Sequence, residues 1–189
     1  MDTLREFIFI PVGIILIIIV GNFISVSNKL NRYKVIINES KKNVDIALAK
    51  RYDTIKEMIK VAKSFTKYEK GIIEDITKSR ESRSIQDFNR SMKNQDRVID
   101  KIYALAEAYP ELRSSDEFLN LQNEIDDESE QLAAAKRIVN NNISRLNQII
   151  VSFPASIVAG IKGLKEEEFL IEEEIGRKSS IEDFDYEVK

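Results

Sequence analysis

The segment Phe7–Val26 constrains the fold of this chain more than any other, because its twenty residues carry no charge. At 1.5 Å per residue a helix of this length measures ~30 Å, the thickness of the hydrocarbon core of a bilayer. A single segment in lipid satisfies its own backbone hydrogen bonds only as an α-helix. A cleaved signal peptide would have a shorter apolar run, a basic start and a small-residue cleavage site. The sequence therefore predicts a permanent transmembrane anchor.

Basic residues are distributed unevenly around this anchor. Arg5 precedes it. Five basic residues follow it closely: Lys29, Arg32, Lys34, Lys41 and Lys42. Since basic residues stay on the cytoplasmic side of a membrane, we expect a single-pass protein of the cell membrane, with its N-terminus outside and its C-terminal domain in the cytoplasm. These residues also suit anionic lipid beside an anchor better than nucleic acid, so we expect membrane lipid as a partner and no nucleic acid.

The composition excludes several kinds of site. The chain has no Cys, no His and no Trp, and its net charge is −3. Disulfides, thiolate metal sites and cysteine nucleophiles are thereby excluded, and the commonest general base is missing. The acidic runs Glu166–Glu168 and Glu172–Glu174 lack the rigid loop and turn glycine of a calcium site, and suit a solvated tail. We therefore expect no metal site, no cofactor site and no catalytic residues.

Three long segments carry apolar residues at steps of three and four, the pattern of helices with one buried face. These segments are Ser27–Arg80, Ile85–Tyr109 and Phe118–Phe153. The third has a coiled-coil-like seam. We predict an all-α fold, in which the transmembrane helix continues into a bundle of three long antiparallel helices, followed by a short fourth helix and an acidic tail. The predicted regions are an anchor over 1–26, a helical stalk over 27–50, a bundle over 51–164 and the tail over 165–189.

Three polar residues interrupt the apolar faces. Arg51 lies seven residues after Val44 and four before Ile55. Its long side chain either reaches the solvent at the rim of the bundle or forms a buried ion pair that fixes the helix register. Candidate partners at the expected level are Glu107, Glu111, Asp116 and Glu117. On the third helix we interpret Glu128 and Asn142 as polar residues that specify register.

The stalk has an apolar row and, in an antiparallel bundle, nothing to cover it. We estimate the height of each residue above the membrane by counting about 1.5 Å per residue along the three predicted helices. By this count the second and third helices cover the first only from Arg51 upward, and Phe153–Leu164 caps the end of the bundle far from the membrane. The row consists of Leu30, Tyr33, Ile37, Val44 and Leu48. Burying one such side chain is worth ~1.5–3 kcal/mol. We therefore expect this row to form a homo-oligomeric contact just above the bilayer.

Four sequence blocks occur in a recognisable order. They are Arg51-Tyr52-Asp53-Thr54-Ile55, Lys67-Tyr68-Glu69 through Ser79-Arg80, Leu105-Ala106-Glu107-Ala108-Tyr109-Pro110-Glu111-Leu112, and Phe153-Pro154 with Ala159-Gly160 and Gly163. This ordered set resembles the LemA family of bacterial membrane-anchored helical proteins. The chain departs from the family pattern at Lys56-Glu57, at Tyr68, and at Val139-Asn140 and Leu146-Asn147, where Tyr-Asn pairs are typical. The resemblance implies a long-helix bundle on a membrane anchor, and it implies no catalytic residues.

These features favour a structural role over an enzymatic one. The leading hypothesis is a non-enzymatic, membrane-anchored scaffold that self-associates and organises a membrane patch or partner proteins. The alternative is a monomeric tether or adaptor that presents its bundle to a cytosolic or membrane enzyme, such as a protease. The state of association in mild detergent distinguishes the two hypotheses.

Overall fold

The computed structural model describes residues 2–65 and 84–171, with side chains from residue 11 onward. These ranges contain no strand and five helices: α1 Asp2–Phe65, α2 Ile85–Ala108, α3 Pro110–Arg113, α4 Asp116–Val151 and α5 Ala155–Ile161. The all-α class is confirmed, and so is the continuity of the apolar N-terminal segment with the helix that follows it. The predicted end of the first helix near Arg80, the motif residue Tyr68 and the tail beyond residue 171 lie outside the described residues.

The N-terminal part of α1 is long and apolar enough to cross a membrane, by its length and composition. Its large apolar side chains from Val12 to Ile24 are all exposed. Pro11 lies inside the helix but close to its start, where a missing N–H removes the least hydrogen bonding. An exposed apolar surface all around a helix is what a lipid environment favours and water does not.

Local signals explain where the later helices begin. Ser84 caps α2: its hydroxyl accepts the Asp87 backbone N–H, and the Asp87 carboxylate accepts the Ser84 backbone N–H in return. Pro110 then begins the short helix α3, because proline fits the first helical position but disfavours helix at the residue before it. The hydroxyl of Ser115 accepts the Phe118 backbone N–H at 3.3 Å and caps the start of α4.

The described residues form two compact units. The N-terminal unit comprises residues 2–43 of α1 and residues 137–169, which contain the second part of α4, all of α5 and the segment after it. The central unit comprises residues 44–65 of α1, residues 84–136 with α2, α3 and the first part of α4, and residues 170–171.

In the central unit, α2 runs in the same direction as α1. Gln95 and Asp96 of α2 contact Leu48 and Arg51 of α1. Further along both helices, the core cluster joins residues from Ile55 to Ala62 with residues from Val98 to Ala106. Residue numbers therefore rise together along the two helices.

In the same unit, α4 runs opposite to α1. Glu128 bonds Thr54, whereas the earlier α4 residues Phe118 and Ile125 belong to the cluster that begins at Ile55. In the antiparallel bundle that we predicted, the second helix runs opposite to the first and the third runs parallel to it. That prediction is therefore wrong for the directions of both α2 and α4 relative to α1. Apolar periodicity is the same when a helix is read in either direction, so it did not distinguish the two arrangements.

In the N-terminal unit, α1 is covered rather than bare. Leu30 and Ile37 are fully or nearly fully buried. The same unit also buries apolar residues of α4 and α5: Val139, Ile143, Leu146, Ile150, Val158 and Ala159. At the end of α5, the Lys162 ammonium donates to the Ser27 hydroxyl at 2.7 Å and to the Asn31 side-chain oxygen at 3.0 Å.

These contacts correct two expectations. The segment Phe153–Leu164 does not cap the far end of the bundle, because Lys162 bonds residues just after the apolar segment of α1. The stalk over 27–50 is not bare either. Four of the five residues assigned to an oligomeric contact are buried within the chain itself, and the fifth, Tyr33, is half-buried; the four are Leu30, Ile37, Val44 and Leu48. Their burial removes the physical argument for a contact between copies at this row.

The buried face of α4 shifts along its 36 residues. We interpreted Asn142 as a polar residue of the predicted seam, and Ile149 lies one heptad further along it, but both are only half-buried. Their neighbours Ile143 and Ile150 are buried instead. A straight α-helix has 3.6 residues per turn, so its buried face drifts by ~20° per heptad from a strict seven-residue repeat. Over several heptads this drift moves the seam by one residue.

Candidate functional site

Five polar residues lie inside the central unit where three helices meet, and we call them the polar layer. They are Arg51 and Thr54 of α1, Gln95 and Asp96 of α2, and Glu128 of α4. Four of the five are buried, and Asp96 is half-buried. One turn of α1 therefore binds both neighbouring helices, because Arg51 and Thr54 are three residues apart and project from the same side.

Arg51 forms an ion pair with Asp96, with 2.6 Å between guanidinium nitrogen and carboxylate oxygen. The Arg51 side chain is 9% exposed and that of Asp96 is 30% exposed. Of the two alternatives for Arg51, the structure has the buried ion pair, but none of the four candidate carboxylates is the partner. Those candidates came from the antiparallel arrangement, and the parallel course of α2 places its middle at this level instead. Gln95 adds a second link by donating to the Leu48 carbonyl at 2.9 Å.

Glu128 is the least satisfied carboxylate of the polar layer. Its Oε1 accepts a hydrogen bond from the Thr54 hydroxyl at 3.1 Å, while its Oε2 is buried and has no hydrogen-bond partner. Burial raises the pKa of this carboxyl, and the nearby charge of Glu124 raises it further. The Thr54 hydrogen bond and the positive charges of Lys50 and Arg51 oppose the rise in pKa but do not cancel it. Glu128 therefore occupies a site that favours a proton or a cation beside Oε2.

A groove opens beside Glu128, between α1 and α4, and we call it the acidic groove. Its lining residues are Lys50, Asp53, Thr54, Glu124, Asp127, Glu128 and Gln131, around a cavity of about 420 Å³. Four carboxylates face one ammonium group across this lining, so the groove is strongly anionic. Within residues 11–65 and 84–171, no group of three or more carboxylates is placed to hold a metal ion. The groove therefore suits an organic cation, such as a lysine or arginine side chain, better than a metal.

A second, smaller cavity of about 180 Å³ lies among α2, α3 and α4. Tyr103 and Phe118 contribute to its lining, together with the oppositely charged Glu107 and Arg113. The Tyr103 hydroxyl is buried without a hydrogen-bond partner. Burial and, to a smaller extent, the charge of Asp126 raise the pKa of Tyr103. Because its charges balance and its volume is small, this cavity is a weaker candidate for a binding site.

The predicted structural polar residues have different outcomes. Arg51 and Glu128 lie in the polar layer, whereas Asn142 is only half-buried. The buried amides on that part of α4 are Asn140 and Asn147, and we selected neither from the sequence. The Asn147 side chain donates to the Glu167 carbonyl at 2.9 Å and accepts the Glu167 N–H at 2.8 Å. At Leu146-Asn147 the chain differs from the family's Tyr-Asn pair but keeps the asparagine. This retained asparagine was the signal in the sequence that could have identified Asn147.

The comparisons with known proteins are consistent with this architecture. A model of the LemA family matches residues 40–182 of the chain. This range includes the whole polar layer and every residue that lines the acidic groove. No curated protein is similar enough to the chain to match it.

Proposed function

The chain belongs to the LemA family, and from that premise we propose that it is a non-enzymatic, membrane-anchored helical adaptor whose acidic groove binds a basic segment of a partner protein. The adaptor is held in the cell membrane by the apolar part of α1, with its C-terminal domain in the cytoplasm. The unequal distribution of basic residues around that segment supports this orientation.

The observation that carries this proposal is the buried Oε2 of Glu128, which has no hydrogen-bond partner beside an anionic groove. Leaving a buried polar atom unsatisfied costs ~1–3 kcal/mol, more when the group is charged. A lysine or arginine side chain that enters the groove would supply the missing partner through a charge-assisted hydrogen bond once the Glu128 carboxyl group rotates to turn Oε2 toward the groove. Such a cost is commonly retained where the group has a binding role.

The charge of the groove distinguishes a basic protein segment from other occupants. Nucleic acid is itself anionic, and four carboxylates repel it. The segment over 165–189 of the same chain has ten acidic residues against four basic ones, so its charge is also wrong for the groove. A basic peptide segment matches the groove in charge, and its extended backbone presents several cationic side chains to the four carboxylates.

We favour the adaptor over the self-associating scaffold because the apolar row of the stalk is occupied by the chain itself. Leu30 and Val44 have no exposed surface, and Ile37 and Leu48 have little. In a mild detergent we expect the full chain to be monomeric. Light scattering after size-exclusion chromatography measures this directly, and a stable oligomer at low protein concentration would restore the scaffold hypothesis.

The acidic groove is tested with a labelled basic peptide. The probe is a fluorescein-labelled peptide of alternating arginine and serine, and a peptide of alternating glutamate and serine serves as its negative counterpart. Fluorescence anisotropy with the full chain in micelles measures both dissociation constants. We expect the triple variant Glu124→Gln, Asp127→Asn, Glu128→Gln to weaken binding of the basic peptide by at least ~10-fold.

A matched variant separates the groove from general electrostatic attraction. It removes the same three charges from exposed positions outside the groove: Asp100→Asn, Glu111→Gln and Glu117→Gln. We expect this control to retain binding within about 2-fold, because exposed charges contribute little to a specific contact. Equal losses in the two triple variants would show that the groove has no special role.

A further inference from the structure

The turn between α4 and α5, together with α5 itself, presents an apolar surface to the outside. Phe153 is 82% exposed, Ile157 56% and Ile161 69%. Ile157 and Ile161 are four residues apart on one short helix, so they share a face. The opposite side of α5 is occupied, because Val158 and Ala159 are buried within the unit. We call the exposed residues Phe153, Ile157 and Ile161 the corner.

The corner lies at the level where α1 ends its apolar segment. Lys162, directly after Ile161, bonds Ser27 and Asn31 of α1. Ser27 is the first residue after Val26, and Asn31 lies ~6 Å further along the helix axis than Ser27. If α1 crosses a bilayer up to Val26, the Lys162 ammonium lies among the lipid headgroups. A lysine at this depth commonly keeps its charge at the headgroup level while its stem contacts apolar surface.

We propose that the corner inserts into the bilayer interface beside α1 and gives the protein a second contact with the membrane. This inference rests on the membrane anchoring in the proposed function. The occupant is lipid because the corner lies beside the end of the apolar segment of α1, whose large apolar side chains from Val12 to Ile24 are also exposed. A short helix with one apolar face and nearby basic residues binds in the plane of the interface, with that face ~5–10 Å deep.

The charges around the corner match anionic lipid. Lys162 and Lys165 follow the corner in the chain, and Lys29 and Arg32 follow the apolar segment of α1. All four belong to the same unit as the corner. Juxtamembrane lysine and arginine attract anionic headgroups, and this attraction adds to the insertion of the apolar side chains. The corner therefore supplies the apolar part of an interfacial contact, and the four basic residues supply the electrostatic part.

The absence of tryptophan from the chain makes the test direct. Phe153→Trp introduces a single fluorophore at the corner of the full chain, reconstituted in vesicles of phosphatidylcholine and phosphatidylglycerol. Lipids brominated near the headgroup end of the acyl chain quench tryptophan at the interface, and acrylamide quenches tryptophan in water. We expect strong quenching by the brominated lipid and roughly 5-fold weaker quenching by acrylamide than for tryptophan in water.

Two further single-tryptophan variants make the result interpretable. Phe23→Trp reports the anchor itself, and Ile138→Trp reports an exposed position of α4 in the same unit. Ile138 lies thirteen residues before the end of α4 at Val151, which is ~20 Å along the axis. We expect quenching by lipid for Phe23→Trp and quenching by acrylamide alone for Ile138→Trp.

The outcomes separate the two claims. Lipid quenching of Phe23→Trp together with acrylamide quenching of Phe153→Trp would refute insertion of the corner and would still support anchoring by α1. Acrylamide quenching of both variants would refute both the anchoring by α1 and the insertion of the corner. Equal lipid quenching of Ile138→Trp and Phe153→Trp would also reject the corner, because insertion would not be specific. Adding Ile157→Ser and Ile161→Ser to Phe153→Trp changes exposed residues only, and we expect it to restore most of the acrylamide quenching.

Discussion

The ion pair between Arg51 and Asp96 predicts an unequal response to removal of its two charges. At 2.6 Å and an effective dielectric constant near 20, two unit charges attract by ~6 kcal/mol before solvation is counted. Desolvation of the two groups offsets most of this attraction, so the intact pair contributes little net stability. The large effect appears when one partner is removed and the other stays buried.

The exposed fractions determine which removal is worse. Asp96→Asn leaves a guanidinium that is 9% exposed and whose Nε already has no partner, and we expect a loss of ~3–5 kcal/mol in the free energy of unfolding. Arg51→Met leaves a carboxylate that is 30% exposed and that water can hydrate, with a loss of only ~1 kcal/mol. The double variant has no uncompensated charge, so its loss also stays near ~1–2 kcal/mol.

Urea unfolding of the full chain in micelles, followed by far-ultraviolet circular dichroism, measures these free energies. Asp100→Asn is the matched control, since Asp100 lies one turn further along α2 and is exposed; we expect a change within ~0.5 kcal/mol. The reasoning is refuted if Arg51→Met destabilises the chain more than Asp96→Asn, or if the losses of the two single variants simply add in the double variant.

Three further predictions concern single positions. The pKa of Glu128 is raised on folding above its ordinary value of 4.5, so the folded chain keeps a proton that the unfolded chain has lost. The free energy of unfolding therefore falls as pH rises from 4.5 through the folded pKa. Glu128→Gln should flatten this decline, as measured by urea titrations repeated across that range of pH. Asn147→Ala removes both hydrogen bonds to Glu167 and should cost ~1–3 kcal/mol, seen as faster amide exchange confined to residues 164–171. Val44→Glu places a charge at a fully buried position and should cost more than ~4 kcal/mol, seen as lost helicity in a monomer rather than as dissociation of an oligomer.

The features predictable from the sequence are those set by local chemistry. Helix positions follow from apolar periodicity. The cap at Ser84 follows from side-chain hydrogen bonding, and the start of α3 at Pro110 follows from the fixed backbone angle of proline. The placement of Arg51 on a buried face also follows from spacing alone, because seven residues are close to two turns. A charge at such a position needs a partner, so the existence of an ion pair was predictable.

The partner was not predictable, because it depends on the direction of α2. Ile102 belongs to the buried apolar face of α2 whether α2 runs parallel or antiparallel to α1. Only long-range contacts, such as those of Gln95 and Asp96, distinguish the two directions. The level counting that left the stalk bare assumed that α2 runs antiparallel to α1. Because α2 runs parallel to α1 instead, that counting does not apply, and four of the five residues of the stalk row are buried.

The acidic groove and the register of the helices depend on the same turn of α1. Arg51 holds α2 through Asp96, Thr54 holds α4 through Glu128, and Asp53 between them lines the groove. A substitution that breaks the Thr54 hydrogen bond therefore alters helix packing as well as binding.

Glu128→Gln separates the two effects, because its amide oxygen still accepts from the Thr54 hydroxyl while the charge is removed. Glu128→Ala deletes both the charge and the hydrogen bond, so a loss of peptide binding in that variant alone would not distinguish a recognition residue from a packing residue. If the carboxylate is retained for recognition, Glu128→Gln should bind the basic peptide more weakly and yet unfold at a higher urea concentration near neutral pH. Opposite changes in affinity and stability are the combination that a purely structural carboxylate does not produce.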